Sequence, residues 1–196
     1  MVTASGWRLL RAGGAVVSAP AKRALNRMAY SERRIVGYTR DEMFDVVSRV
    51  EDYHLFVPWC RRSTVVKQKP NALLCELEVG FPPLIERYTS RVTHIRPAVV
   101  RSVAADRQSG LFVALDTTWK FSESKEEGEE KAPEGTSWIH FDLEFEFRNE
   151  IHRRMAHLFF DRVVDRNVNA FLDRARTVYG EPKCPPSKAE VLKHES

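Results

Sequence analysis

The clearest pattern in the chain is an alternation near its C-terminal third. Ile139, Phe141, Leu143, Phe145 and Phe147 are interleaved with His140, Asp142, Glu144 and Glu146. Successive side chains on a strand point to opposite faces, so this is a strand with one apolar and one wet face, as antiparallel sheets use. Leu73, Cys75, Leu77, Val79 and Phe81 alternate with Glu76 and Glu78 in the same way and stop at Pro82-Pro83, which cannot donate to a ladder. Further runs of period two predict strands at 34–39, 63–68, 86–95, 99–104 and 111–121, with Pro70-Asn71 and Pro97 as breaks.

Elsewhere the period is helical. Thr39-Arg40-Asp41-Glu42 fits a capping box, in which hydroxyl and carboxylate satisfy each other's free amides, and Met43, Val46, Val47 and Val50 follow at helical spacing. A second short helical or turn segment at 51–56 ends before Pro58. The last helix is long: Asn149 can cap it, Glu150 suits its first turn, and Gly180 and Pro182 stop it after Tyr179. At roughly 1.5 Å per residue it spans about 43 Å. Its apolar stripe holds Ala156, Phe160, Val163, Val164, Asn167, Phe171, Ala175 and Val178. The order predicts an α+β domain: one strand, two short helices, a run of antiparallel strands, then a helix long enough to cover the apolar face of the curved sheet. The stretch 123–134 has six Glu and two Lys and reads as a solvated acidic loop, and 181–196, with three Pro, as a flexible tail.

Composition sets the class. The 196 residues, 43% hydrophobic and including 11 Phe, can fill a single core, and no run approaches the ~18 apolar residues that span a bilayer. The net charge of +4 suggests an anionic partner until it is located. Residues 1–30 carry five basic residues and no acid, which leaves 26 basic against 27 acidic for 31–196. The excess therefore belongs to an acid-free, Arg-bearing arm with the composition of a disordered mitochondrial transit peptide; the alternative is a plain basic tail. A near-neutral body does not point to nucleic acid. Cys60, Cys75 and Cys184 are odd in number and lack a CxxC pair, which favours a reducing compartment over a disulfide framework or a zinc site.

Several segments resemble one family. They are 53–60 (YHLFVPWC), 77–83 (LEVGFPP), 86–90 (ERYTS), 119–121 (WKF), 142–148 (DLEFEFR) and the helix text 159–161 (FFD) with 167–171 (NVNAF). The junction 30–34 (YSERR) is similar too. Over about 31–180 the chain resembles the mitochondrial coenzyme Q-binding proteins of the polyketide cyclase/START-like superfamily; the acidic insertion departs from the shorter loop expected there. The resemblance implies a helix-grip fold (START/Bet v 1-like) with an apolar cavity between the sheet and the C-terminal helix. It implies a non-enzymatic lipid chaperone or carrier that binds ubiquinone as ligand, with no other cofactor. It also implies peripheral attachment to the matrix face of the inner mitochondrial membrane and support of respiratory electron transfer, with respiratory-chain or coenzyme Q biosynthesis components as possible partners. Two alternatives come with the superfamily: a ribosome-associated interaction protein, like toxin-like bacterial relatives, and a cyclase- or hydrolase-like enzyme.

A quinone carrier needs an apolar tunnel, a few polar groups for the head and a gate. Leu77, Val79, Phe81, Phe141, Leu143 and Phe145 from the strands, Phe160, Val163, Val164 and Phe171 from the helix, and Trp119 from its family motif are the lining candidates. Read from spacing alone, they equally well form a packed core. Phe56-Val57-Pro58-Trp59 reads either as the mouth, dipping into the membrane interface, or as a plug; 80–84 is a second gate or an ordinary hairpin turn. Asn167, on the apolar stripe, needs a partner: a quinone oxygen or the sheet backbone. Arg87 and Tyr88 point to opposite faces, and Tyr88 is the better lining residue. The inward positions look almost wholly apolar. The histidines show no metal-binding spacing, GxSxG, P-loop and GxGxxG motifs do not occur, and no catalytic residue or metal site is assigned.

Overall fold

The computed structural model describes residues 27–81, 84–105, 112–125 and 131–195, apart from the side chains at 81, 84, 86, 150–153, 155–159, 161 and 162. Among them, eight strands form one antiparallel sheet: β1 (Arg27–Val36), β2 (Cys60–Lys69), β3 (Ala72–Phe81), β4 (Leu84–Ile95), β5 (Val99–Ala104), β6 (Phe112–Ser122), β7 (Ser137–Phe147) and β8 (Glu190–Glu195). Their spatial order is β2-β3-β4-β5-β6-β7-β1-β8. The helices are α1 (Arg40–Ser48), α2 (Tyr53–Phe56), with a 3-10 turn (Val50–Asp52) between them, and α3 (Glu150–Tyr179). This is the helix-grip arrangement: the sheet's concave face closes on α3, whose 30 residues extend about 45 Å.

Local signals act where they were read. Glu42 N donates to Thr39 Oγ1 at 3.3 Å while Thr39 N donates to the Glu42 carboxylate at 2.8 Å, so the capping box starts α1. Gly180, at φ 86°, ends α3 in the left-handed conformation that glycine adopts without a Cβ penalty. Tyr38 Oη donates to the Gly180 carbonyl at 3.0 Å, which ties the end of α3 to the entrance of α1. Arg174 pairs with Asp52 at 3.0 Å and holds α3 against the 3-10 turn.

Three expectations change. β1 begins at Arg27 rather than 34 and crosses the boundary drawn at residue 30; Met28, Ala29 and Tyr30 are buried and pair with β7. Its register was hidden because Glu32 and Arg34 occupy inward positions and break the alternation. The tail is not loose throughout: β8 pairs with β1, and the Ser187 amide donates to the Ile35 carbonyl at 2.9 Å. On the way the tail crosses Gly37, where a Cβ would lie 2.4 Å from the Cys184 carbonyl oxygen, so glycine is required for close approach. On α3, Val178 is 43% exposed, while Val168, outside the predicted stripe, is fully buried. The gate at 80–84 falls on residues 82 and 83 and on the side chains of Phe81 and Leu84, which, like that of Ala156, lie outside the described residues.

Candidate functional site

Strand register builds the inner layer. Glu32 pairs with Phe141 and Phe141 with Trp119; Tyr30 pairs with Leu143, and Leu77 with Tyr88. All of these side chains face α3, and the layer is filled unevenly. At the end sealed by α1, whose Phe44 meets Phe121 edge-on, Ile139, Phe141, Trp119, Phe121, Val92 and Val100 are all at 3% exposure or less. Trp119 lies with its ring centroid 4.5 Å from Phe141 and 4.9 Å from Phe171. Toward the end where α3 begins, Val79, Tyr88, Phe112, Leu115 and Phe147 from the sheet are only half-buried, as are Val163 and Asn167 in the middle of the helix.

The sequence-predicted lining residues therefore divide. Leu77, Trp119, Phe141, Leu143, Phe145, Phe160, Val164 and Phe171 are packed core, each at 7% exposure or less. Val79, Tyr88, Val163 and Asn167 border the less filled end. Phe112 and Phe147 join them, with ring centroids 5.1 Å apart, and Tyr88 meets Phe112 edge-on at 5.6 Å. Aromatic faces and edges arranged this way suit a flat ring as a further neighbour.

The inner layer is more polar than its sequence suggested. Glu32, 2% exposed, accepts from Arg34 Nε and Nη2 at 2.8 Å each and from Tyr30 Oη at 2.6 Å. Burial, followed by the hydrogen bond to Glu32, pushes the Tyr30 hydroxyl well above the usual tyrosine range. Three ionisable groups thus converge on the concave face, and the hydrogen bonds among them occupy the Glu32 carboxylate. Ser90 and Ser102 place their hydroxyl oxygens 2.6 Å apart. Thr117 Oγ1, the Asn167 amide and the Tyr88 hydroxyl have no hydrogen-bond partner among the described residues. Only the register of β1 could have revealed Tyr30, Glu32 and Arg34, since their separation of two residues is all the sequence displays.

The segment 55–60 sits beside this end. Phe56 packs edge-on against Tyr53 and Phe171, and Arg174 lies over its ring at 5.5 Å, so Phe56 closes the side of the core. Val57, Pro58 and Trp59 are half-buried, whereas Leu55 is 60% exposed. Trp59 has φ 63°, and its carbonyl accepts from Gly80 N at 2.8 Å. A bulky residue in the left-handed region costs on the order of 1–3 kcal/mol, so the loop is held there by its surroundings. Burial pushes the thiols of Cys60 and Cys75 up to about 11, which leaves both neutral and inert as nucleophiles.

Two polar clusters lie elsewhere. On the convex face Ser31 Oγ donates to Asp142 Oδ1 at 2.7 Å, and His140 Nε2 approaches both, at 3.0 and 3.1 Å. In a nucleophilic relay the carboxylate holds the other ring nitrogen, so this is not that geometry. Burial acts to raise the Asp142 pKa, but hydrogen bonds from His140 and Ser31 outweigh it and the net shift is downward. Near α1, His94 borders a surface groove of ≈ 550 Å³ with Arg49, Glu51, Gln68 and Arg96, a charged lining unlike the aromatic end. Among the described residues no group of three His, Cys, Asp or Glu side chains could hold a metal ion, and no helix is long and apolar enough to cross a membrane.

Comparison with known proteins bears on this geometry. The chain is 40% identical over 167 residues to the mitochondrial coenzyme Q-binding protein COQ10 homolog B of Xenopus laevis; the match takes in 85% of this chain and 66% of that protein's length. It is 28% identical over 146 residues to the ribosome association toxin RatA of Pseudomonas aeruginosa, covering 74% of this chain and 94% of the toxin. The crystal structure of the aromatase/cyclase Zhui from a Streptomyces species shares the fold, with a TM-score of 0.63 at 15% identity over 78% of this chain and 96% of the enzyme. The family model described as polyketide cyclase/dehydrase and lipid transport matches residues 36–172, most of the sheet and most of α3, and the chain belongs to that family.

Proposed function

We propose that this protein binds coenzyme Q between the sheet and α3 and acts as a non-enzymatic chaperone or carrier for it in respiratory electron transport. The observation that carries the reading is the half-buried aromatic end of the inner layer, formed by Tyr88, Phe112 and Phe147 with Val79 and Val163, in a chain similar to coenzyme Q-binding proteins. Each CH₂ of an isoprenoid tail moved out of water contributes about 0.8 kcal/mol, so even a partly enclosed tail supplies substantial affinity. Among the described residues the carboxylate on the concave face, Glu32, is held by Arg34 and Tyr30, which supports binding rather than catalysis.

The acid-free basic arm ahead of β1 and the mitochondrial relatives support delivery to the mitochondrion, with peripheral attachment to the matrix side of the inner membrane. Leu55, with the adjoining segment 56–59, and the half-exposed Ile85 are the apolar contacts with that surface. Respiratory-chain or coenzyme Q biosynthesis components are the partners this role implies.

Titration of the full chain with a short-tailed ubiquinone tests the reading, because a bound quinone quenches tryptophan fluorescence. Saturable quenching, absent with an unrelated protein, is the expected result; quenching that rises linearly without saturation rejects it. The similarity to the ribosome association toxin supports a second reading, ribosome binding. Arg87, Arg96 and Arg101 are already paired with Glu78, Asp45 and Asp116, which makes those three cations less available to phosphate. Salt-sensitive co-sedimentation with ribosomes would favour that reading.

A further inference from the structure

We propose that the Tyr88 hydroxyl is the hydrogen-bond donor to a carbonyl oxygen of the ligand's ring, so that the quinone head, rather than the tail alone, occupies the half-buried aromatic end. The inference rests on the coenzyme Q reading above and assigns a residue to the recognition of its head.

The chain has five tyrosines. Four commit their hydroxyls within the protein: Tyr30 to Glu32 at 2.6 Å, Tyr38 to the Gly180 carbonyl at 3.0 Å, Tyr53 to the Val47 carbonyl at 2.6 Å, and Tyr179 to Asp45 at 3.4 Å. Tyr88 has no such partner among the described residues. Its position is half-buried: it pairs directly with Leu77, itself 6% exposed, and its ring is braced edge-on by Phe112. Burial pushes its hydroxyl well above the usual tyrosine range, so it remains a neutral donor at any physiological pH. The thiols of Cys60 and Cys75, the ionisable groups that bear on it, are neutral themselves and are weak acceptors. The Tyr88 hydroxyl is reached from outside and committed to no acceptor within the described residues, so it is available to an acceptor that enters from outside the chain.

The chemistry of that acceptor follows from its neighbours. Among the described residues the ring neighbour of Tyr88 is Phe112, which itself lies beside Phe147; neither carries charge to neutralise an anion, and Arg34 is already bonded to Glu32. A neutral carbonyl on a flat ring fits: the oxygen takes the hydroxyl, and the ring lies against aromatic neighbours.

The test is Tyr88→Phe in the full chain, with two probes: a ubiquinone bearing two isoprene units, and an isoprenoid hydrocarbon of similar length without the ring. The substitution removes one hydroxyl and keeps the ring. Quinone affinity should fall roughly 3- to 10-fold, as loss of one hydrogen bond implies, with hydrocarbon affinity unchanged. The ligand-free melting temperature should hold, because the hydroxyl removed makes no hydrogen bond within the described residues; a merely structural tyrosine would lower it. In wild-type protein, the infrared carbonyl band of the bound quinone should be shifted down from its position in hydrocarbon solvent, and in Tyr88→Phe the shift should disappear. Equal quinone affinity in both proteins, or an unshifted band in the wild type, overturns the role of Tyr88 while leaving coenzyme Q binding intact. Absence of saturable quinone binding by the wild type overturns both.

Discussion

Glu32 and Arg34 lie two residues apart on the concave face of β1, with the carboxylate accepting from Nε and Nη2 of the guanidinium at 2.8 Å each. Glu32 is 2% exposed, and the Arg34 side chain 13%. Breaking such a pair from one side leaves a buried charge. Arg34→Met should therefore cost about 3–5 kcal/mol, whereas the double replacement of Glu32 by Leu and Arg34 by Met should recover most of that loss. Denaturant midpoints of the two variants check this; equal destabilisation in both would show that the pair acts through something other than its charges.

Glu190 fastens β8 to the sheet through Arg33, at 2.9 Å to each carboxylate oxygen, and through Lys125 at 3.0 Å. Those hydrogen bonds depress its pKa from 4.5 to about 2. A depressed carboxylate favours the docked strand above its unfolded value and loses that contribution as pH falls from about 4.5 toward 2. The amides of residues 191–195 should lose exchange protection across that window, and also in high salt at neutral pH, since the pair is exposed. Glu190→Gln should remove both dependences. Protection that does not change with acid or salt would mean that backbone pairing with β1 alone holds the strand.

Much of this fold was legible and part of it was not, for identifiable reasons. The β7 alternation and the Thr39–Glu42 cap are local, so sequence spacing suffices to read them. β8 has no apolar core face to announce it, since Val191 is 53% and Leu192 44% exposed and the ring that stacks inward on Phe160 is His194, so its residues read as tail. In β1 the inward pair of charges erases the period-two signal that its neighbours display. At the candidate site, spacing identified the apolar inner positions but could not separate packed Phe141 from half-buried Tyr88. That difference depends on tertiary packing against the inner face of the sheet, which spacing along the chain does not display. The partnerless hydroxyl of Tyr88 was invisible for the same reason.

Leu55 is 60% exposed beside the 56–59 loop, while Ile95, 69% exposed, lies at the opposite end of β4 from Ile85. If the 55–59 segment meets the membrane, Leu55→Asp should reduce association with anionic phospholipid vesicles by about tenfold or more, the scale of one leucine's transfer from water. Trp59→Ser should reduce it in the same direction, and Ile95→Asp should leave it unchanged. Vesicle flotation reads all three; equal loss from Leu55→Asp and Ile95→Asp would place the contact elsewhere.

The central claim is that the space between sheet and helix holds coenzyme Q. The most direct measurement is mass spectrometry of lipid extracted from the full chain after purification from a coenzyme Q-producing host. Near-stoichiometric coenzyme Q, enriched over an unrelated protein prepared in parallel, is the predicted result. Preparations that carry no quinone above that background, or that carry a different lipid class instead, would contradict the account.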